Sequence, residues 1–534
     1  MKWTSHKGTG EKKPLSLIGM IVLITLIGAV VRCFYVFSVS FPLNDGGMFY
    51  VMVRDLQANA FRLPLYTSYN GGNIPYAYPP LPFYLAAGLN QWLGIGLISL
   101  LRFLPLLFSI ATIPVFAWLA QEVLAEKHPV ALATLVFALL SPAYEWEIMG
   151  GGLTRAPALL FTLVALAFLV RWCRKPDWKD WVGGVVFSAL TALCHLEMLW
   201  MLALSLPVIY LYYRKDWQHL THLILAGVGV IALTAPWWGT VISRFGFQIF
   251  FDALHSGNFN WQTPLATLLG LLPVQDLNET VFTLIALVGV FVMLRKRNSF
   301  LPVWWLVFAV LDMRSSQRSM TIPLAMLAGV ALTAGLAWIS RSLGTNETEK
   351  ISISAGIDFE NRWVKGILIV GVTLAIFHDL IGFYLPDTYL KSLNSENQAA
   401  MAWVQANTEA DSQFLVVDFP SGWHLDLVGE WFPALTGRKS LLTGQGQEWL
   451  ANNQQLKTVT ALNDVNDCRW MGLTCLQQVV EENQFDYQYV YFTDNSDSVT
   501  KEPLFTSVLA YEVAQNSGYT LIYQNEDVRI YRKK

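Results

Sequence analysis

Residues 15–47 read LSLIGMIVLITLIGAVVRCFYVFSVSFPLNDGG. The first part is an apolar run longer than the roughly 20 residues that a helix needs to cross a bilayer. It runs directly into Asn44-Asp45-Gly46-Gly47, an acidic turn at the end of the span. Lys2, Lys7, Lys12 and Lys13 precede it, as in a signal peptide. Its apolar core exceeds the roughly 7–15 residues of a cleaved segment, so it reads as a retained anchor.

Composition extends that reading to the whole chain. Of 534 residues, 54% are hydrophobic and only 14% charged, and the mean hydropathy is +0.40. Soluble domains carry about 25% charged residues, so the surplus apolar surface must face lipid. A net charge of -3 leaves no basic excess, which argues against nucleic acid as a partner. Five cysteines are too few for a disulfide scaffold.

Ten more apolar segments follow, near 98–123, 129–143, 153–172, 181–196, 198–213, 220–240, 280–294, 300–312, 321–339 and 366–385. With the first they make about eleven spans. The basic N-terminus, residues 171–175 with Lys179, Arg214 with Lys215, residues 295–297, and Arg341, Lys350, Arg362 and Lys365 share one side if the spans alternate. That side is the cytoplasm by the positive-inside rule. The expectation is a mainly α, polytopic protein of the plasma membrane, with its N-terminus inside. Residues 1–385 would form the membrane domain, including a long first outer loop over 41–97. Residues 386–534 are polar and acidic, with a helical stretch at 396–406 and β-type runs at 414–417, 489–492 and 519–523. They read as a small extracytoplasmic α/β domain. Its Cys468 and Cys475 either pair or stand as two thiols, and spacing does not choose.

Ionisable residues away from the cytoplasmic loops are the informative ones. Asp45 follows the first span, and Glu145 and Glu147 the third. Arg155 opens the fourth after Gly150-Gly151-Gly152, and His195 and Glu197 join the fifth and sixth. Asp312, Arg314 and Arg318 lie between the ninth and tenth, and His378-Asp379 near the end of the eleventh. All fall at the non-cytoplasmic face, whereas a transporter places its charges near the midplane. The pattern suits chemistry on a substrate whose head group sits at the boundary. Arginine forks match phosphate oxygens, and a carboxylate such as Asp45 can serve as general base. A departing phosphate needs charge stabilisation more than a proton. One base opposite arginines is a sufficient set for inverting glycosyl transfer.

Each residue also has a plainer structural reading. Asp45 could cap the helix that follows it, and Glu145 and Glu147 could be solvated loop acids. If their loop is extended, the two point the same way and both reach one ion. Arg314 and Arg318 could clamp Asp312, and Arg155 could snorkel. His195 and Glu197 could seal two span ends. The sequon Asn278-Glu279-Thr280 would lie outside.

These residues resemble a family, the C-type (GT-C) integral-membrane glycosyltransferases, which include protein O-mannosyltransferases, aminoarabinose transferases and oligosaccharyltransferases. The resemblance rests on the span layout, the acidic residue opening a long outer loop, Tyr78-Pro79-Pro80-Leu81, and the outer C-terminal domain. It implies that Asp45 is the catalytic carboxylate and that the donor is a polyprenyl-phosphate-linked sugar. The acceptor would be a lipid, glycan or protein. Glu145-x-Glu147 is similar to the second acidic motif, which in some members helps bind a divalent cation. Mg or Mn on Asp45, Glu145 and Glu147 is therefore an option. The run from Glu430 to Arg438 resembles one in the outer domain of uncharacterised bacterial members. Its aromatics suit packing, and its two charges are candidates for acceptor recognition. Two features depart from the family: Tyr78 stands where aminoarabinose-type enzymes place a Lys, and no WWDYG-type motif occurs. In this reading Arg155, Arg314 and Arg318 hold the donor phosphate, Glu145 and Glu147 position acceptor or metal, and His195, Glu197 and Tyr78 are secondary candidates. The rivals are a flippase for a lipid-linked glycan and a non-catalytic protein with a binding outer domain.

Overall fold

The structure is a computed structural model that describes residues 16–214, 216–255, 277–312, 315–343, 357–359, 361–384, 390–420, 422–493 and 507–534. Every one of the eleven apolar segments contains a helix. Among the described residues, eight helices are long and apolar enough to cross a membrane, which makes this a multi-pass membrane protein. The other three segments form shorter helices. Lys127–Leu139, Trp178–Cys194 and Phe300–Leu311 have 13, 17 and 12 residues. At 1.5 Å per residue they cover about 18–26 Å of a roughly 30 Å core.

The shortening of Lys127–Leu139 has a visible cause. Leu140 turns extended, and Pro142 lies in the short helical turn Ser141–Ala143 that follows, so the ladder cannot continue. The chain then makes the single turn Glu145–Ile148 and the glycines 150–152 before the helix Gly152–Arg174 begins. This irregular stretch is almost wholly buried. Protein thus surrounds its irregular backbone, which could not face lipid.

The first loop folds into the helix Gly47–Ala58, the hairpin β1 (Tyr66–Thr67) and β2 (Ile74–Pro75), and the helix Leu81–Leu93. The C-terminal part holds β3 (Gln413–Val417), β4 (Lys439–Ser440), β5 (Tyr489–Thr493), β6 (Tyr519–Gln524) and β7 (Val528–Lys533) in one sheet ordered β4-β3-β5-β7-β6. Strand β3 runs parallel to β4 and β5, and β7 runs antiparallel to β5 and β6. The three β-type runs and the helix read from sequence are all present, the helix as Ser395–Asn407.

Period-2 alternation divides the strand residues between two cores. Phe414, Val416, Tyr489, Tyr491, Val528 and Ile530 pack with Phe41, Met48, Phe49 and Tyr76 of the first loop and with Trp431 and Phe432. Leu415, Val417, Val490 and Phe492 face the other way, onto the helices Gln454–Met471, Leu473–Glu482 and Val508–Gln515. Cys468 and Cys475 form a disulfide there. The sheet and the first loop thus share one continuous core.

Candidate active site

The glycine runs on either side of the first and third segments lie against each other. Gly150 N–H donates to Leu43 O at 2.9 Å, and Gly151 N–H to Asp45 Oδ1 at 2.7 Å. Asp45 therefore sits at the N-terminal end of the helix Gly152–Arg174, where a carboxylate is favoured by the helix dipole. The plainer reading, in which it caps its own following helix, does not hold. A Cβ at Gly150 would stand 2.0 Å from Asp45 O, and one at Gly151 would stand 2.3 Å from Asp45 Oδ2. Only glycine permits this approach.

One turn into that helix, Arg155 Nη2 donates to Asp45 Oδ2 at 2.8 Å and to Oδ1 at 3.1 Å. The pair is nearly enclosed, with 11% of the arginine and 15% of the carboxylate side chain exposed. Arg155 Nε donates to Trp146 O at 2.9 Å. Its guanidinium carbon lies 5.3 Å from the Trp146 ring centre, and that of Arg318 lies 5.9 Å from the same ring. The two arginines thus share one indole, within cation–π range. Arg318 Nη1 donates to Glu197 Oε2 at 3.1 Å, and its Nε lies 3.5 Å from Glu147 Oε1. His195 Nδ1 is 4.0 Å from Glu197, and its ring is 6.0 Å from that of Tyr78. Asp45, Arg155, Arg318, Glu147, Glu197, His195 and Tyr78 therefore form one connected cluster. Arg155 Nη1 and Arg318 Nη2 make no hydrogen bond among the described residues.

Glu147 is fully buried, and its oxygens accept no hydrogen bond among the described residues. Burial pushes its carboxyl above the usual range, and Arg318 and then Arg155 oppose that shift. Residues Glu145–Ile148 form a helical turn, and side chains two apart on a helix diverge, so the extended geometry expected for the two acids is not adopted. Among the described residues no three His, Cys, Asp or Glu side chains converge to hold a metal. Asp45 and Glu147 instead face guanidinium groups, so these residues do not fit a shared Mg or Mn. Arg314 lies outside the described residues. Asp312 turns to Ser315 N–H at 3.2 Å and to the Ser319 hydroxyl, not to Arg318.

Several contacts were not foreseen. Glu430 Oε1 accepts from Gly46 N–H at 2.8 Å and Gly47 N–H at 3.0 Å. Burial, then the charge of Asp45, push the Glu430 carboxyl well above the usual range, against the pull of the two amides and Arg155. Trp449 packs its ring 5.7 Å from Tyr78. Arg32 is buried inside the first span, donating to Ala138 O at 2.8 Å and Ser109 Oγ at 3.1 Å. An arginine within an apolar run is itself a signal. Glu430 stood out only as a candidate for acceptor recognition and Trp449 carried no signal, because nothing in the local sequence ties either of them to Asp45. Arg438 donates to the Thr408, Gln405 and Thr436 carbonyls. Asn278 donates to Ala375 O and Asp379 Oδ1, so the sequon is buried.

One prediction follows from the glycine contact. Gly151→Ala is expected to push Asp45 off Arg155 and to cost at least about tenfold in turnover. Gly227→Ala, where a Cβ meets nothing within 4 Å, is expected to stay within about twofold. Parallel assays of the two purified variants, with thermal midpoints, check this.

No family profile matches the chain, and no curated protein matches it in sequence. Solved structures do match. Oligosaccharyltransferase AglB from Archaeoglobus fulgidus, in complex with an inhibitory peptide and a dolichol-phosphate, superposes over 97% of this chain and 74% of its own, with TM-score 0.56 and 14% identity. ArnT from Cupriavidus metallidurans, bound to undecaprenyl phosphate, superposes over 97% of this chain and 98% of its own, with TM-score 0.55 and 15% identity. Arabinofuranosyltransferase AftD from Mycobacteria covers 96% of this chain and 40% of its own, with TM-score 0.54 and 12% identity. All three are GT-C membrane glycosyltransferases, and the fold of this chain is theirs.

Proposed function

We propose that this GT-C-fold membrane protein is an inverting glycosyltransferase. It moves a sugar from a polyprenyl-phosphate-linked donor to an acceptor at the outer face of the cytoplasmic membrane. Residues 1–385 form its membrane domain, and residues 386–534 an outer α/β domain. The single observation that carries the reading is the enclosed contact between Asp45 and Arg155, 110 residues apart, with Arg318 over the same indole. A base and two guanidiniums stand together, the groups that a sugar bound to a lipid phosphate requires, and two of the structural neighbours hold lipid phosphates.

In this reading Asp45 takes the proton of an acceptor hydroxyl or amine as that atom bonds to the anomeric carbon. The bond from that carbon to phosphate oxygen breaks, and its electron pair leaves with the phosphate. The free N–H groups of Arg155 and Arg318 meet the growing charge. Arg155 neutralises Asp45 in the resting arrangement, so a phosphate that draws Arg155 away also releases the base. Glu147 and Glu197 orient Arg318. His195 and Tyr78 belong to the same cluster.

The test is transfer by the purified protein in nanodiscs, offered a panel of synthetic polyprenyl-phosphate-linked pentoses and hexoses with envelope extract as acceptor. The expected product carries the sugar with inverted anomeric configuration. Movement of the lipid-linked sugar between leaflets, with no covalent product, would overturn the assignment in favour of a flippase.

A further inference from the structure

The backbone on both sides of Asp45 is gripped by the C-terminal part of the chain. Asn44 N–H donates to Lys391 O at 2.6 Å. The Trp431 indole N–H donates to Asn44 O at 2.8 Å. On the far side of Asp45, Glu430 Oε1 accepts from Gly46 and Gly47 N–H. These bonds cross the chain, with 384 residues separating Glu430 from Gly46 and 387 separating Trp431 from Asn44. They do the work of a cap that the helix Gly47–Ala58 lacks, since its own N-cap residue, Gly46, supplies no side chain.

The grip matters because the turn is not one the chain adopts freely. Asn44 has φ 49° and Gly46 has φ 121°, both in the left-handed region, where conformations persist only when the surroundings over-determine them. Glu430 is itself held: Tyr69 donates its hydroxyl to Glu430 O at 2.7 Å. That carbonyl would lie 2.6 Å from a Cβ at Gly47, so the two segments touch backbone to backbone.

We infer that Glu430 is a positioning residue of the active centre, and that the C-terminal part completes the site by holding Asp45 through the Gly46 and Gly47 amides. The inference rests on the reading of Asp45 as the base. Its physical content is an acceptor oxygen at one place. A neutral side chain that keeps that oxygen will serve, and one that lacks it will not.

The experiment is hydrogen exchange followed by mass spectrometry on the full chain in nanodiscs, with turnover measured on whichever donor of the panel the wild type uses. In Glu430→Ala the amides of Gly46 and Gly47 are expected to exchange at least about tenfold faster, while strands β3 and β5 keep wild-type protection. Its kcat falls about tenfold or more, with the donor KM within about twofold. Glu430→Gln restores most of both. If Glu430→Ala does not fold, Trp431→Phe keeps the ring, removes the bond to Asn44, and is expected to lower kcat with KM held. Unchanged exchange at Gly46 and Gly47, loosening spread equally over the sheet, or Glu430→Gln as impaired as the alanine variant would overturn the inference. Asp45→Asn run alongside separates the two claims. If it is inactive and Glu430→Ala is not impaired, only the positioning role fails; if it is active, the assignment of the base fails.

Discussion

Asp45→Asn is expected to lower kcat for sugar transfer by about 10²–10⁴-fold, the range for loss of a positioned general base. The amide keeps the size of the carboxylate and can still accept from Gly151 N–H, so folding is expected to survive. Binding of the donor lipid should not weaken. Arg155, which in the wild type gives Nη2 to both oxygens of Asp45, loses its counter-charge and becomes more available to phosphate. Undecaprenyl phosphate is therefore expected to bind the variant at least as tightly as the wild type. Measuring turnover and lipid binding on the same preparation separates loss of chemistry from loss of the pocket. Wild-type turnover would remove Asp45 from its role. Loss of lipid binding together with turnover would mean that Asp45 shapes the site and does not act in it.

Arg318→Met is expected to have the second large effect, on stability as well as activity. Glu147 is fully buried, accepts no hydrogen bond, and has Arg318 as its only ion-pair partner among the described residues. Removing one member of a buried pair leaves an uncompensated charge and costs about 3–5 kcal/mol. The carboxyl can evade part of this by taking up a proton, so the destabilisation should grow as pH rises. Burial already raises its pKa, and Arg318 is the first opposing influence. Adding Glu147→Gln to Arg318→Met is expected to recover most of the thermal midpoint without recovering turnover, because the phosphate ligand stays absent. Midpoints of the four proteins of that double-mutant cycle decide it, and additive losses would mean that the pair does not couple.

Much of the architecture follows from periodicity alone. Each apolar segment became a helix, and 414–417, 489–492 and 519–523 became strands because branched and aromatic residues are concentrated there. Departures from that reading have local causes. Three segments hold helices of 13, 17 and 12 residues, the first of them ending where Leu140 turns extended just before Pro142. Glu145 and Glu147 parted because four residues wound into a turn. Asp45, Arg155, Arg318, His195 and Glu197 were chosen because charge at the end of an apolar run is costly and therefore informative, and Tyr78 through the family resemblance, and they do meet. The pairing among them was not legible, and Arg318 met two carboxylates instead of Asp312.

From its residues alone this chain was bound to treat lipid as its solvent, to run in helices through it, and to carry a polar α/β segment after the last one. Hydropathy and side-chain alternation act between neighbours, and a one-dimensional string records neighbours. That Asp45 would sit on the amide of Gly151, take its counter-charge from Arg155 and have its turn held by Glu430 is another matter. Those contacts span 106, 110 and 384 residues. They exist only because packing of the glycine runs and of the sheet on the first loop brings distant backbone within hydrogen-bond reach.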